Sequence, residues 1–335
     1  MPFQVPDHVV VCEYEPQRTR AIQKFYPKGI SCSAFQRAWD AGFTGNGIKV
    51  AIIDTGVDGS HRDLAGKVIK SFNLTGEALS ESHGTHVAGT IAGNGWIIGG
   101  APGCSIIDIK VLGKNGGTIA NIVKAISLAA ANGASVINMS LGGSGISNSD
   151  IQSLKVAIQN AWNNGAVCVV ASGNAGTSIN TRDGYSYPAA IDQAESIAAC
   201  DVAENLRTIT LAKFSNENDK VDVAACGVGV LSTIIGGKYA VYNGTSMATP
   251  HVSAMAAVIA QSIKKSNPSL RGAAFSDALV RALNANVLPI SAKIASPVGN
   301  ISYGRGFIRY LPNNGPVVPS GSAVYSGPVF LGHIA

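Results

Sequence analysis

The stretch SHGTHVAG, residues 82–89, determines how this chain of 335 residues is interpreted. Its glycines suit a tight turn, and the apolar residues among them predict a helix over residues 83–94. His83 therefore stands at the start of a helix, where a glycine-rich turn leaves its imidazole accessible. Histidine exchanges protons readily near neutral pH, so His83 is a candidate general base.

Two further segments supply partners for His83. The stretch GTSMATPH, residues 244–251, places Ser246 at the start of a long apolar helix, and Asp54 in DTG closes a hydrophobic strand. A serine hydroxyl needs an adjacent base to act as a nucleophile. A carboxylate that accepts the other ring N–H of the histidine fixes its tautomer. The order Asp, His, Ser along the chain is one of three recurrent orders for such a triad.

Apolar runs alternate with helical patterns along the middle of the chain. Strands are predicted at 48–53, 105–112, 134–139, 166–171 and 196–202, and helices at 83–94, 119–132, 150–163, 246–263 and 273–283. This alternation predicts an α/β fold, with a mostly parallel sheet and helices on both faces. Ligands bind such sheets outside the carboxyl ends of the strands, and Asp54, His83, Asn174 and Ser246 all fall there.

Residues near Ser246 complete the predicted chemistry. Thr245 is expected to be the N-cap of the helix that follows. Asn174 is expected to donate its amide to a developing oxyanion, beside the backbone N–H of Ser246.

Composition limits the other classes of function. Hydrophobic residues make up 46% of the chain and charged residues 13%, which predicts a large core. The net charge of +5 is too small and scattered to indicate a nucleic-acid partner. No signal peptide or membrane span is predicted, and the six cysteines form no CxxC pattern. We therefore expect a cytoplasmic protein with reduced thiols and no membrane partner.

Two flanking segments differ from the core. Residues 1–34 show no clear helix or strand continuity with it and form an N-terminal extension. Residues 313–335 are rich in Pro, Gly and Ser, which predicts an extended or flexible tail. The catalytic domain is then expected to span residues 35–312.

As a set, these motifs resemble those of the subtilisin-like serine proteases, the subtilases of peptidase family S8. HGTHVAG and GTSMATPH are highly specific, whereas DTG and SGN alone are weak, and the resemblance extends over about residues 39–310. It implies a three-layer fold with a seven-stranded, mostly parallel sheet. It also implies a serine endopeptidase that acts through an acyl-enzyme on Ser246, with Asp54, His83 and Asn174 in the roles given above.

A protein or peptide substrate is the implied partner. An extended peptide can pair with exposed backbone edges, and glycine-containing segments follow two of the predicted strands. The resemblance implies that the matching segments bind substrate on both sides. The residues expected to bind it are Gly116, Gly117, Ser140, Leu141, Gly142, Gly143, Ala171, Ser172 and Gly173. Arg182 or Asp183 is a candidate for the floor of the pocket, and both a monomer and a homodimer remain open.

A narrower resemblance points to the bacterial intracellular subtilisins. It rests on SYPAA at residues 186–190, FSN at 214–216, DVA at 222–224 and MPFQV at 1–5. In that branch a short N-terminal extension blocks the active site until it is removed. The resemblance therefore implies that Pro2-Phe3 holds this chain inactive, although a frayed terminus accounts for the segment equally well.

Metal binding is expected to differ from that of the family. Asp63 matches a calcium-ligand position, but the loop at residues 93–98 is shorter than the family's calcium-binding loop. Arg62 stands where the family usually has proline. Calcium prefers about six or more oxygen ligands, so no cofactor is expected to be required, and calcium remains open.

Two alternatives accompany this interpretation. His86 lies one helical turn after His83, but without an HExxH pattern a role in helix packing is favoured over a metal pair. The alternative function is a catalytically silent binding protein on a protease fold. It would need altered loops or a permanent N-terminal block, because every predicted catalytic residue is present.

Overall fold

The structure is a computed structural model that describes residues 9–14, 24–176, 185–203, 206, 208–289 and 304–312. Its strands are β1 (Val9–Tyr14), β2 (Lys49–Asp54), β3 (Val68–Asn73), β4 (Ser105–Lys110), β5 (Val136–Met139), β6 (Val167–Ala171), β7 (Ala194–Val202), β8 (Ile209–Leu211), β9 (Val223–Cys226), β10 (Val230–Ile234), β11 (Lys238–Tyr242), β12 (Val287–Leu288) and β13 (Phe307–Ile308). Its helices are α1 (Lys28–Cys32), α2 (Phe35–Asp40), α3 (His83–Ala92), α4 (Ile119–Ala131), α5 (Asn148–Asn163), α6 (Thr245–Ser266) and α7 (Gly272–Ala285).

The main sheet confirms the predicted α/β fold class. Its strand order is β12-β13-β9-β7-β6-β5-β2-β4-β3, and β8 pairs with β7 at the side. The seven strands from β9 to β3 are parallel to their neighbours. Three short strands extend this unit, since β13 adds in parallel to β9 while β8 and β12 pair antiparallel.

The core consists of two clusters, one on each face of the sheet. Val50 and Ile52 of β2 face the cluster that contains α3, α6 and α7, whereas Ala51 and Ile53 face the cluster under α4 and α5. Successive side chains of a strand point to opposite faces, so a run of buried residues in β2 needs helices on both sides. The result is three layers, with the sheet in the middle.

Helix α6 is the central helix of one layer. Its residues are buried from Thr245 to Ala260, which explains why the sequence there is apolar all round. The helix extends from its first turn, which carries Ser246, across strands β5, β6 and β7. Burial along this length anchors its first turn at the edge of the sheet.

The described part of the N-terminal extension is continuous with the domain, unlike the sequence expectation. Strand β1 pairs antiparallel with β11, which also pairs with β10, to form a second sheet of three strands. Ile30 and Cys32 of α1 belong to the core. These contacts depend on residues more than 200 positions apart, so no local pattern in the sequence indicates them.

Some predictions fall outside the described residues. They are the MPFQV motif and the C-terminal tail, residues 313–335. In the part of the chain that is described, no helix combines the length and the apolar character needed to cross a bilayer.

Candidate active site

Asp54 and His83 form the centre of the site. Asp54 ends β2 and is fully buried, and its Oδ1 lies 2.8 Å from Nδ1 of His83. The same oxygen accepts the backbone N–H of Thr55 at 2.6 Å. Because Asp54 holds Nδ1, the other ring nitrogen of His83 is the one available for proton exchange. That Nε2 atom is buried and has no hydrogen-bond partner among the described residues.

A glycine contact sets the position of His83. Gly84 approaches Gly56 so closely that a Cβ at residue 84 would overlap the Gly56 carbonyl oxygen. The N–H of Gly84 donates to Thr55 Oγ1 at 2.9 Å. The first turn of α3 is therefore tied to the turn that follows β2, which places His83 beside Asp54.

Ser246 lies in the first turn of α6, at the same edge of the sheet. Its Oγ donates to the Ser140 carbonyl at 3.1 Å, and Ser140 Oγ donates to the Ser246 carbonyl at 2.9 Å. Its backbone N–H is one of the first-turn donors for which a helix provides no acceptor four residues earlier. In this structure the Ser246 hydroxyl is thus engaged with Ser140, and within the described residues no hydrogen bond joins it to Nε2 of His83.

Gly244, and not Thr245, is the N-cap of α6, so the predicted cap is wrong. Gly244 has a φ of 156°, a backbone conformation that side chains disfavour, and Thr245 is the first helical residue. The hydroxyl of Thr245 instead donates to Asn174 Oδ1 at 2.7 Å, and its N–H donates to the same oxygen at 2.9 Å.

These two bonds orient the Asn174 amide. With Oδ1 accepting both donors from Thr245, Nδ2 must face the other way. Nδ2 is buried and has no partner among the described residues. The amide therefore presents two unused N–H bonds next to the first turn of α6, an arrangement that suits an anionic oxygen.

A cavity of about 150 Å³ opens beside Ser246. Several predicted groove residues line it. They are Leu141, Gly142, Gly143, Ala171 and Gly173. Residues that the sequence did not indicate also line it. They are Ser144, Ala175, Tyr185, Ser186, Asn216 and Thr245. Arg182 and Asp183, suggested for its floor, lie outside the described residues.

The other predicted groove residues have different positions. Ser172 is buried behind the cavity wall, where its carbonyl accepts from Asn216 Nδ2 at 3.0 Å. Gly143 pairs with Tyr187 through two backbone hydrogen bonds, and Gly116 pairs in the same way with Gly113. Those two glycines therefore use their backbone groups within the protein, while Gly117, which follows, is not among the residues that line the cavity.

Histidines other than His83 have structural contacts. Nε2 of His86 lies 3.0 Å from the Val230 carbonyl, and its ring stacks on Tyr242 with centroids 4.4 Å apart. Burial lowers the pKa of His86 to about 3, so its ring is neutral. These contacts agree with a role in helix packing.

Asp63 accepts hydrogen bonds from Trp96 and Ile97, and no cluster of metal-ligating side chains occurs in the described ranges.

Asp108 is a buried carboxylic acid that sequence reasoning missed. It lies in β4, opposite Ile52 of β2 and Ser71 of β3, and Oδ1 has no partner among the described residues. Burial raises the pKa of Asp108 to about 7. The nearby Asp54 charge also raises this pKa, whereas the hydrogen bond from Ser71 lowers it. An aspartate within the apolar run IIDI was the available signal.

This shift predicts a pH-dependent stability. Because the pKa of Asp108 is higher in the folded than in the unfolded state, folding favours the protonated carboxyl. The contribution of Asp108 to the free energy of unfolding is therefore full below about pH 4 and is lost as the pH rises to about 7. Asp108→Asn should remove that loss, which amounts to roughly 4 kcal/mol at most. Urea unfolding of the two proteins, both carrying Ser246→Ala to prevent self-digestion, measures the difference.

The exposed Asp40 provides the control for this experiment, because Asp40→Asn should leave the pH dependence unchanged. An identical slope in the Asp108→Asn protein and its parent would contradict the assignment.

Comparison with known proteins agrees with this geometry. The sequence model of the subtilase family, Peptidase_S8, matches residues 45–304. The major intracellular serine protease of Bacillus subtilis (strain 168) is 41% identical over 246 residues, which cover 70% of this chain and 74% of that protein. The intracellular serine protease of Paenibacillus polymyxa is 36% identical over 248 residues, with 70% and 73% covered.

A further relative shares the same region. Thermitase of Thermoactinomyces vulgaris is 39% identical over 257 residues, which cover 74% of this chain and 82% of that protein. The family match spans well over half of the chain and includes every predicted catalytic residue. The chain therefore belongs to the subtilase family and is a subtilisin-like serine endopeptidase.

Proposed function

We propose that this enzyme cleaves peptide bonds with Ser246 as nucleophile, His83 as general base and Asp54 as the group that orients His83. The observation that carries the proposal is the 2.8 Å contact between Asp54 Oδ1 and His83 Nδ1, with Nε2 left buried and unpaired among the described residues. An imidazole held in this way can accept a proton only through Nε2.

The reaction begins when the Ser246 hydroxyl leaves the Ser140 carbonyl and transfers its proton to Nε2 of His83. Ser246 Oγ then bonds to the carbonyl carbon of the substrate, and the carbonyl oxygen becomes an oxyanion. Asn174 Nδ2 and the Ser246 N–H are proposed to bind that oxygen. His83 returns the proton to the leaving amine as the C–N bond breaks, which leaves an acyl-enzyme. Water, deprotonated by the same histidine, hydrolyses the ester and restores Ser246.

The substrate groove is proposed along the cavity beside Ser246. Leu141, Gly142 and Ala171 would contact the residue before the cleaved bond, and Gly173 would border the same pocket. The small side chain of Ala171 and the missing Cβ atoms of Gly142 and Gly173 support a close approach of substrate backbone. Ser140, Gly116, Gly117, Gly143 and Ser172 remain predicted contributors to the surrounding rim.

A silent binding protein is the competing function. It would retain the fold and the cavity but would not form a covalent bond at Ser246. A fluorophosphonate reacts with an activated serine and leaves an unactivated one unmodified, so it separates the two possibilities.

Ser246→Ala should lower kcat by about 10⁶-fold, a magnitude known from subtilisin, while circular dichroism and Tm stay close to those of the parent. A fluorophosphonate should label the parent at Ser246, as identified by peptide mass, and should not label the variant. The exposed Ser269 gives the control, because Ser269→Ala should keep both activity and labelling. Peptide cleavage that persists in Ser246→Ala would refute the proposed nucleophile.

Asn174→Ala should lower kcat by about 10²–10³-fold, again as known from subtilisin, with a smaller change in KM. The amide is proposed to act on charge that develops only in the transition state, so ground-state binding should be little affected. Steady-state kinetics on a peptide substrate give both constants. Asn160→Ala, at an exposed position of α5, serves as control. A loss confined to KM would assign Asn174 to substrate binding instead.

We further propose that the N-terminal extension, residues 1–34, blocks the enzyme until its first residues are removed. Pro2 and Phe3 lie outside the described residues. The position of β1 supports the proposal. Val9 pairs with Tyr242 at the end of β11, and β11 leads directly into Gly244 and Ser246. The segment that precedes Val9 thus enters β1 at its end nearest to the nucleophile.

Removal of residues 1–8 should raise kcat/KM at least about tenfold, because a segment that occupies the site reduces the competent fraction. The measurement compares the shortened enzyme with the full chain on one peptide substrate. Removal of residues 313–335 is the control and should have little effect. Equal activity of the full and N-terminally shortened enzymes would exclude inhibition by this segment.

We also propose that the enzyme acts inside the cell. Two similar bacterial proteins are named as intracellular serine proteases. Cys32, Cys104, Cys168, Cys200 and Cys226 are buried and free, as expected for a reducing compartment. A monomer and a homodimer both remain compatible with this proposal.

A further inference from the structure

The carboxylate of Asp63 is held by hydrogen-bond donors. Oδ1 accepts the N–H of Trp96 at 3.0 Å, and Oδ2 accepts the N–H of Ile97 at 2.8 Å. Oδ2 also accepts the hydroxyl of Tyr239 at 2.9 Å. The carboxylate is 1% exposed, so these donors replace water around it. We call Arg62, Asp63, Trp96, Ile97 and Tyr239 the Asp63 cluster.

These surroundings do not fit the calcium ion that the family resemblance implies near Asp63. Calcium takes about six to eight oxygen ligands, and a backbone N–H offers it no lone pair. The short loop directs two N–H groups at Asp63, where a calcium site would need oxygen atoms. Loop carbonyls are also engaged, since Gly93 O accepts from Gly99 at 2.9 Å and Trp96 O accepts from Phe25 at 2.7 Å.

The space around the carboxylate is filled as well. A Cβ added at Gly95 would overlap Asp63 Oδ1, so the loop backbone lies directly against the carboxylate. The N–H of Asn94 donates to the backbone carbonyl of Asp63 at 2.8 Å, which closes the loop over the same residue. An ion could reach Asp63 only if this loop were displaced.

Arg62 supplies the positive charge beside Asp63. Its Nε lies 3.8 Å from Asp63 Oδ1 and donates to the Tyr239 hydroxyl at 3.0 Å. Its guanidinium also lies over the Tyr239 ring, 5.5 Å from the centroid. A divalent cation at Asp63 would experience repulsion from this fixed charge.

Aromatic rings hold the cluster together. Trp96 packs edge-on against Tyr239 with centroids 4.6 Å apart, and Phe25 stacks on Trp96 at 5.4 Å. The N–H of Ile98 donates to the Phe25 carbonyl at 3.0 Å. The cluster thereby joins the segment before α1, the short loop after α3 and strand β11.

We propose that the Asp63 cluster replaces a calcium ion, so that this enzyme keeps its fold where free calcium is scarce. Donor groups and the Arg62 charge satisfy Asp63, and the aromatic contacts fix the loop that a metal would otherwise hold. In this proposal, hydrogen bonds to the Asp63 carboxylate take the place of the bonds that a metal ion would make there.

The test uses the full chain with Ser246→Ala, which prevents self-digestion. Its Tm should be the same in calcium chloride and in excess EDTA, and a calorimetric titration with calcium alone should give no binding that depends on Asp63. A calcium-induced rise in Tm that Asp63→Asn abolishes would overturn the proposal. An equal rise in the parent and in Asp63→Asn would mean binding elsewhere and would support an ion-free Asp63.

Tyr239→Phe removes the hydroxyl that donates to Asp63 Oδ2 and leaves the carboxylate in place. It is therefore less disruptive to the fold than a substitution of Asp63 itself. It should lower Tm by roughly 2–8 °C to the same extent in calcium and in EDTA, because a buried acceptor loses its donor. Tyr26→Phe is the control, since the Tyr26 side chain is exposed. A Tyr239→Phe protein as stable as the Tyr26→Phe control would also overturn the proposal.

Discussion

The close approach of helix α3 to the turn after β2 is the contact on which the active site depends. Gly84 leaves no space for a side chain between itself and the Gly56 carbonyl, and its N–H is bonded to Thr55. At the other end of α3, a Cβ at Gly89 would overlap Ser232 and Thr233 of β10. Both ends of the helix are thus fixed by backbone contacts. His83 has its position beside Asp54 because the whole helix is seated, and no flexible loop is involved.

The site contains buried polar atoms without hydrogen-bond partners, an arrangement that lowers the stability of a protein. His83 Nε2 and Asn174 Nδ2 are buried and lack partners among the residues described. Each such atom costs about 1–3 kcal/mol of stability. The two-sided core and the burial of α6 from Thr245 to Ala260 can offset that cost. Hydrogen bonds with Asp54 and Thr245 orient the same two side chains in the absence of substrate. This preorganisation supports the catalytic roles that we propose for His83 and Asn174.

The Asp63 cluster satisfies a buried carboxylate with donors from the protein itself. Asp63 remains a buried carboxylate, but the shortened loop brings two N–H groups to it, and Arg62 and Tyr239 complete its surroundings. Tyr239 also belongs to β11, where Tyr14 of β1 pairs with it. The N-terminal extension, the short loop and the strand that precedes Ser246 therefore share one region of packing.

The sequence by itself determined the class of fold and predicted the reacting groups. Alternating Val- and Ile-rich runs with helical periods predicted the parallel sheet, because a strand buried on both faces is apolar along most of its length. Family motifs, each short and continuous, predicted the catalytic roles that we propose for Asp54, His83, Ser246 and Asn174. Strand β3 escaped prediction, since its exposed edge position gives it a polar pattern, and β12 and β13 are only two residues long.

Only the tertiary structure decided how those groups are held. The sequence gives no sign that Ser140 accepts the Ser246 hydroxyl, that Gly244 caps α6, or that the strand of Asp108 lies beside the strand of Asp54. It also gives no sign that β1 joins β11 or that Tyr239 reaches Asp63. These features join residues that are far apart along the chain. A local pattern encodes which face of an element is buried, whereas the partner on that face is set by how all the elements pack together.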